Sequence, residues 1–309
     1  MTLRIISAEE VSERLTYDVA ITLVRDAMVA LSAGRTRQLL RGIIDLGAGR
    51  MFGVMPGSLD KGPFGAKLVS VFPGSAGDGR NAHQGLVVIF DPETGAPAAA
   101  VDAGELTAIR TAAASAAATL ALAKADAVRV AILGTGEQAR RHIEALQSVR
   151  PLVQVTIWGR DGSRARAVAD EFGAVAAASV QDATAEADVI CTVSAAVEPI
   201  LYAADVREGT HVNAVGSSRA GPAEIAVDLV ARSCFYADHR DSVLSQGAEF
   251  LRAKAAGQID DDHVLGEIGE VFAGTLRGRT SDRSVTLYKS LGHVVQDLAC
   301  AAWLCRDGS

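Results

Sequence analysis

The sequence predicts an α/β protein in two parts: a doubly wound parallel sheet in the middle of the chain, and an α+β domain with an antiparallel sheet ahead of it. Three observations carry this. A short apolar run, Val128–Leu133, enters a glycine turn and then a helical pattern. From there to Ala237 short apolar runs alternate with helical stretches, the βαβ rhythm of a parallel sheet. The first third instead shows helices and then strand-like runs joined by short turns, which pair antiparallel. With 309 residues, 49% of them hydrophobic, the chain can build two full cores or one elaborated one.

The elements follow in order. The N-terminal Met1–Ser7 reads as a short strand, without the apolar core and small-residue cleavage site of a signal peptide. Ser7 with Glu10 forms a capping-box pattern that starts a helix at Ala8. A second helix is expected from about Asp18 to Ala33, with Val19, Leu23, Ala27, Met28 and Leu31 as its buried stripe and Gly34 at its C-cap. Gln38–Pro56 is strand-like with a turn near Gly47–Gly49, and a third strand covers Gly65–Phe72. Pro73–Gly79 is a loop. Gly85–Phe90 and Ala96–Val101 form a hairpin about Asp91–Gly95. Parallel strands are expected at Val128–Leu133, Val153–Trp158, Val189–Val193, His211–Val215 and Cys234–Ala237. The sheet is then complete, and a last helix, about Thr286–Leu304, returns to the first domain. The domain boundary falls near Ala118–Lys124, at the end of an alanine-rich helix. That run, Ala112–Ala123, is too short to span a bilayer.

A formal net charge of −7 argues against a nucleic-acid partner. The four cysteines have neither a C-x-x-C pair nor zinc spacing, and a soluble cytoplasmic protein is expected. The histidines lack a metal-like i, i+4 pair, so no metal is expected; His142, on the helix after the glycine turn, is expected to be exposed.

Chemistry is read first from the glycine turn. Gly134 permits a tight turn, Gly136 lets a pyrophosphate approach the backbone, and Ala139 lets helix and strand pack closely. Glu137 and Gln138 complete the turn, and the helix N-terminus offers N–H groups to phosphate. In this strand–turn–helix context the motif reads as a Rossmann dinucleotide site rather than an ordinary Gly-rich βα turn. After the next strand, Arg160, with Ser163 or Arg164 behind it, can meet a 2′-phosphate and leans the reading toward NADP; Asp161 keeps NAD open. In the first part, Lys67 stands in an otherwise apolar strand, where it either snorkels to the edge or faces a polar pocket; burial would lower its pKa and make it a usable proton donor. Arg41 and Arg110 are suited to hold one carboxylate with planar, bidentate bonds.

These motifs, in this order, resemble the ornithine cyclodeaminase/mu-crystallin family over nearly the full chain. The matching stretches are Gly65–Gly74, Leu106–Ala116, Leu133–Ala139, Val212–Ser217, Gly278–Asp282 and Lys289–Gly292. The resemblance implies a substrate-binding and dimerisation domain over 1–120, completed by the C-terminal helix at about 288–309, and a Rossmann domain over 121–287. It implies a homodimer, Lys67 as catalytic lysine, Arg41 and Arg110 on the substrate carboxylate, and Thr111 near the cofactor phosphates. It places Val215–Ser217 beside the nicotinamide, and Thr192 joins the cofactor-binding set. Two departures matter. Gly53 stands where ornithine cyclodeaminases have a glutamate, and Ser218 stands where an aspartate faces the distal end of the substrate. Ser217, Ser218 and Arg219 suit a small or anionic distal group rather than an ammonium.

The expected function is an NAD(P)-dependent oxidoreductase of small 2-imino or 2-amino acids. The alternatives are an ornithine cyclodeaminase that recycles NAD internally, and a non-catalytic NADP-binding protein of the mu-crystallin kind.

Overall fold

The structure, a computed structural model, describes residues 3–72 and 83–306. The expected loop Pro73–Gly79 lies outside the described residues. The strands are β1 (Arg4–Ile6), β2 (Thr36–Gln38), β3 (Gly42–Gly47), β4 (Arg50–Leu59), β5 (Phe64–Val71), β6 (His83–Phe90), β7 (Pro97–Asp102), β8 (Arg129–Leu133), β9 (Gln154–Trp158), β10 (Val175–Ala176), β11 (Val189–Thr192), β12 (His211–Ala214), β13 (Cys234–Ala237), β14 (Val264–Glu267) and β15 (Thr286–Lys289). The helices are α1 (Ala8–Arg14), α2 (Tyr17–Ser32), α3 (Ala103–Leu122), α4 (Glu137–Val149), α5 (Gly162–Phe172), α6 (Val180–Thr184), α7 (Val227–Arg232), α8 (Arg240–Gln246), α9 (Ala248–Ala255), α10 (Ile268–Ala273) and α11 (Val294–Cys305). Two compact units result: Met1–Thr111 with His293–Ser309, and Ala112–Gly292. The division falls within α3, earlier than the expected Ala118–Lys124. Among the described residues no helix is long and apolar enough to cross a membrane.

The first unit is built on one sheet in the order β1-β7-β6-β5-β4-β2, with β3 on β4. β1 runs parallel to β7 and the other pairs are antiparallel. Ser7 caps α1 by accepting from Glu10 N at 3.2 Å, but the Glu10 carboxylate turns to Arg4 and Arg14 and does not close a capping box. The buried stripe of α2 is Ala20, Ile21, Val24, Ala27, Met28 and Leu31. Val19 and Leu23, expected there, are half-buried flank positions, because Ile21 and Val24 lead the apolar face. The hairpin turn is held by Asp91 Oδ1, which accepts from Glu93 N and Thr94 N, and by Gly95 at φ +71°. On the sheet face, a Cβ at Gly57 would meet Val294 Cγ1 at 2.7 Å, so the glycine lets α11 sit close over β4. That approach sets the site.

The second unit is an all-parallel sheet in the order β10-β9-β8-β11-β12-β15-β13-β14. The chain leaves β8 toward β9 and later returns on the other flank at β11, so the switch point lies between β8 and β11. The sheet is not complete at Ala237. Thr286–Lys289, expected to open the last helix, is a strand inserted between β12 and β13. All four residues are buried, and a strand buried on both faces lacks the alternation that tells it from a buried helix. Gly292, at φ +78°, then breaks the chain path, and α11 starts at Val294.

Candidate active site

In the first unit, β5 carries Lys67 between Met55 of β4 and Val87 of β6, with only 4% of its surface exposed. An ammonium cannot be left unpaired there. Its Nζ lies 3.2 Å from Asp297 Oδ1, on the first turn of α11. Arg110, equally buried on α3, donates from Nε to the same oxygen at 2.9 Å and from Nη1 to Gln296 Oε1 at 2.9 Å. These bonds use two of the five donors of the guanidinium. Asp297 Oδ2 is buried with no hydrogen-bond partner among the described residues. Burial pushes the Asp297 carboxyl up, but the Arg110 and Lys67 charges outweigh it and hold it below the usual range. Burial lowers the Lys67 ammonium to about 8; Asp297 opposes this, while the charges of Arg110 and Arg41 add to it. Arg41, half-buried just ahead of β3, therefore acts in the same electrostatic field.

Asp297 and Gln296 escaped the reading of the sequence. The available signal was a polar pair inside the apolar run Val294-Val-Gln-Asp-Leu-Ala, an unusual place for a carboxylate without a partner. Gly53 faces Val69, whose Cγ1 stands 3.1 Å from where a Cβ would be. Thr111 is buried beside Arg110 in sequence.

In the second unit, Gly134 has φ +148°, and a Cβ there would meet Val193 O at 2.6 Å, so only glycine fits this turn. Gly136 is the N-cap of α4, exposed, with open space about it and no side-chain capping bond. The first turn of α4, with exposed Glu137 and half-buried Gln138, thus starts at a glycine whose lack of a side chain leaves the helix N-terminus open to approach. Ala139 is fully buried, packing helix on strand. These features fit a dinucleotide pyrophosphate.

At the end of β9, Arg160 is exposed, whereas Asp161 caps α5, its Oδ1 accepting from Ser163 N at 3.0 Å and Arg164 N at 3.3 Å. Thr192 ends β11 fully buried and donates to Glu224 Oε2 at 2.8 Å. After β12, Val215 and Ser217 are buried, and the Ser217 hydroxyl donates to Pro222 O within its own loop. Ser218 is half-buried and Arg219 exposed.

His142 corrects an expectation: it is fully buried, not exposed. Its ring bridges Gln138 O at 2.7 Å and Ser115 Oγ at 2.9 Å, and burial lowers its pKa to about 4, so it is neutral. The inner stripe of α4, Ala139, His142, Ile143 and Leu146, puts position 142 on the core face. Among the described residues no His, Cys, Asp and Glu group could hold a metal ion.

The chain is 34% identical over 304 residues to ketimine reductase mu-crystallin of Mus musculus, covering 96% of this chain and 94% of that one. The Thermococcus litoralis Delta(1)-pyrroline-2-carboxylate reductase, solved with NADH and L-proline, superposes with a TM-score of 0.93 at 28% identity, covering 98% of this chain and 96% of that chain. The iminosuccinate reductase of Paracoccus denitrificans, solved with NAD+, superposes with a TM-score of 0.89 at 30% identity, covering 98% and 95%. The profile of the ornithine cyclodeaminase/mu-crystallin family matches residues 2–308, and the chain belongs to that family.

Proposed function

We propose that this chain is an NAD(P)-dependent reductase of small 2-imino acids, working in reverse as an amino-acid dehydrogenase. The observation that carries the reading is the buried cluster of Lys67, Arg110 and Asp297. It sets two cations against one carboxylate, an excess of positive charge that a substrate carboxylate neutralises. Arg110, with Arg41, holds that carboxylate. Lys67 Nζ holds the proton that goes to the imine nitrogen and makes the adjacent carbon electrophilic; a pKa of about 8 suits a group that must give and regain a proton near neutrality. When bound, the reduced nicotinamide supplies the hydride.

The second unit holds the cofactor. In this reading the adenosine end lies at β9, the pyrophosphate at the β8 turn, and the nicotinamide over the ends of β11 and β12, at Thr192 and Val215–Ser217; the switch point between β8 and β11 supports it. NADP is favoured over NAD, since Asp161 is engaged as a helix cap while Arg160 and Arg164 are exposed. A homodimer is proposed for the exposed sheet of the first unit. β3 is exposed along its whole length, Ile43, Ile44 and Leu46 included, as are the preceding Leu39 and Leu40. With its four cysteines free, a reducing cytoplasm is the proposed compartment.

The substrate is small or dicarboxylic. Val69 fills the place beside Gly53, and Ser218 stands in place of a carboxylate, so a distal ammonium finds no counter-charge there. Burying it unpaired costs a few kcal/mol. The test follows oxidation of NADPH and NADH spectrophotometrically with cyclic imines, with pyruvate, glyoxylate or oxaloacetate plus ammonia or methylamine, and with ornithine and lysine. Stoichiometric cofactor consumption with an imine is expected. Ammonia release from ornithine with no net change in cofactor would replace this reading by the cyclodeaminase one.

A further inference from the structure

At the carboxyl ends of its central strands the second unit brings together the buried ionisable side chains of Glu224 and Lys289, at 0% exposure, and Glu249, at 1%. Glu224 lies in the loop before α7, Glu249 on α9, and Lys289 is the last residue of β15. Glu224 accepts four bonds: on Oε2 from Thr192 Oγ1 at 2.8 Å and Gly216 N at 2.7 Å, on Oε1 from Ser194 N at 2.6 Å and Ser194 Oγ at 2.7 Å. Both oxygens accept from backbone N–H donors; burial nonetheless pushes the Glu224 carboxyl above its usual range, against the Ser194 and Thr192 bonds and the Lys289 charge, which lower it. Lys289 Nζ donates to Ser217 O at 2.7 Å and pairs with Glu249 Oε2 at 2.7 Å. Glu249 Oε1 in turn accepts from Glu224 N at 3.1 Å.

Stability does not account for this arrangement. Apolar side chains of similar volume would stabilise the unit as well or better than buried charges. What the charges add is direction. Glu224 fixes the N–H of Gly216 and Lys289 fixes the carbonyl of Ser217, so two consecutive residues after β12 are gripped from both sides. Gly216 fits only because it lacks a side chain: a Cβ would stand 2.2 Å from Ser194 O and 2.6 Å from the Glu224 carboxylate. Open parallel sheets bind ligands at the carboxyl ends of the strands flanking the switch point, here β8 and β11, with β12 next.

We infer that Glu224 and Lys289, with Glu249 as counter-ion, are positioning residues that hold the Gly216–Ser217 backbone in the orientation that receives the nicotinamide ring. The inference rests on the cofactor placement proposed above. It assigns these residues no contact with substrate or cofactor; they act through the loop. Glu224 also holds Thr192 and Ser194, on either side of the Val193 carbonyl that packs on Gly134, so the variants are made at Lys289 and Glu249, which hold Ser217 O and Glu224 N.

The test separates the two ends of the cofactor. Affinities for NADH and for ADP-ribose, which lacks the nicotinamide, are measured by calorimetry on the wild-type chain, on Lys289→Met, and on the double variant Lys289→Met with Glu249→Gln. The single variant strands a buried carboxylate and is expected to be the less stable; the double variant removes both charges and keeps the acceptor for Glu224 N. In the folded variants the Kd for NADH is expected to rise on the order of tenfold, with ADP-ribose changed by less than about twofold. In turnover, kcat is expected to fall while the KM for imine stays within a few-fold. Equal losses for both ligands reduce the cluster to a structural role, and no loss for either removes it altogether; both results overturn the inference. A wild-type chain that binds neither ligand overturns the dinucleotide reading and the inference with it.

Discussion

Replacing Asp297 by Asn keeps the side-chain volume and an accepting oxygen but removes the carboxylate that Lys67 and Arg110 share at 3.2 and 2.9 Å. Lys67 now sits at about 8 because Asp297 partly offsets burial and the two arginine charges. An opposite charge at such a distance is worth roughly 1–3 pK units. The variant lysine should therefore titrate near 5 to 7, a cost to the ammonium of about 1.4–4 kcal/mol. At pH 7.5 its protonated fraction falls from roughly three-quarters to a quarter or far less, and reductive kcat/KM falls from about threefold to more than 100-fold. The assay is kcat/KM for imine reduction against pH. The wild-type profile should fall about tenfold per pH unit above about pH 8, because the donor must carry its proton. The falling limb of Asp297→Asn should move down by at least one unit. A limb that stays near 8, or moves up, refutes the coupling. Thermal melts run in parallel, since opening a buried charge cluster costs about 3–5 kcal/mol. Linkage gives an independent sign: Lys67 is depressed from 10.5 in the fold, so the unfolded chain binds more protons between about 8 and 10.5, and its contribution to stability rises with pH through that window.

Lys67→Ala should abolish turnover while cofactor affinity stays within a few-fold; near-normal turnover would remove Lys67 from the chemistry. Arg160→Ala should weaken NADPH binding more than NADH binding, measured by fluorescence titration, and equal losses would show that Arg160 does not read the 2′-phosphate. Gly134→Ala should lose dinucleotide binding and melt earlier, by roughly 1–3 kcal/mol, because φ +148° and Val193 O at 2.6 Å leave no room for a Cβ. Unchanged NADH affinity in that variant would contradict the placement of the pyrophosphate turn.

What the sequence determined alone is what neighbours in sequence determine. Ser7 three residues before Glu10 caps a helix, Asp91 and Gly95 close a hairpin, and Val128–Leu146 folds as strand, glycine turn and helix. Each depends on backbone conformation and hydrogen bonds within one or two turns of chain. A lysine in an apolar strand also drew attention unaided, because its burial is costly wherever the strand ends up. Tertiary structure decided the rest. The carboxylate that Lys67 uses lies 230 residues away, and Arg110 reaches the same oxygen across 187. Residues Thr286–Lys289 became a strand because a slot between β12 and β13 buries both of their faces, which periodicity alone does not distinguish from a helix. His142 turned inward because its position on α4 faces Ser115 of α3. Glu224 and Lys289 met over one loop because the sheet brings the ends of β11, β12 and β15 together. Local pattern fixes the elements whose signals lie within a turn or two of chain; a strand buried on both faces, and the partners of a buried charge, are fixed only when the topology brings distant strands and helices into contact, because a charge out of water must be met by whatever the fold puts beside it.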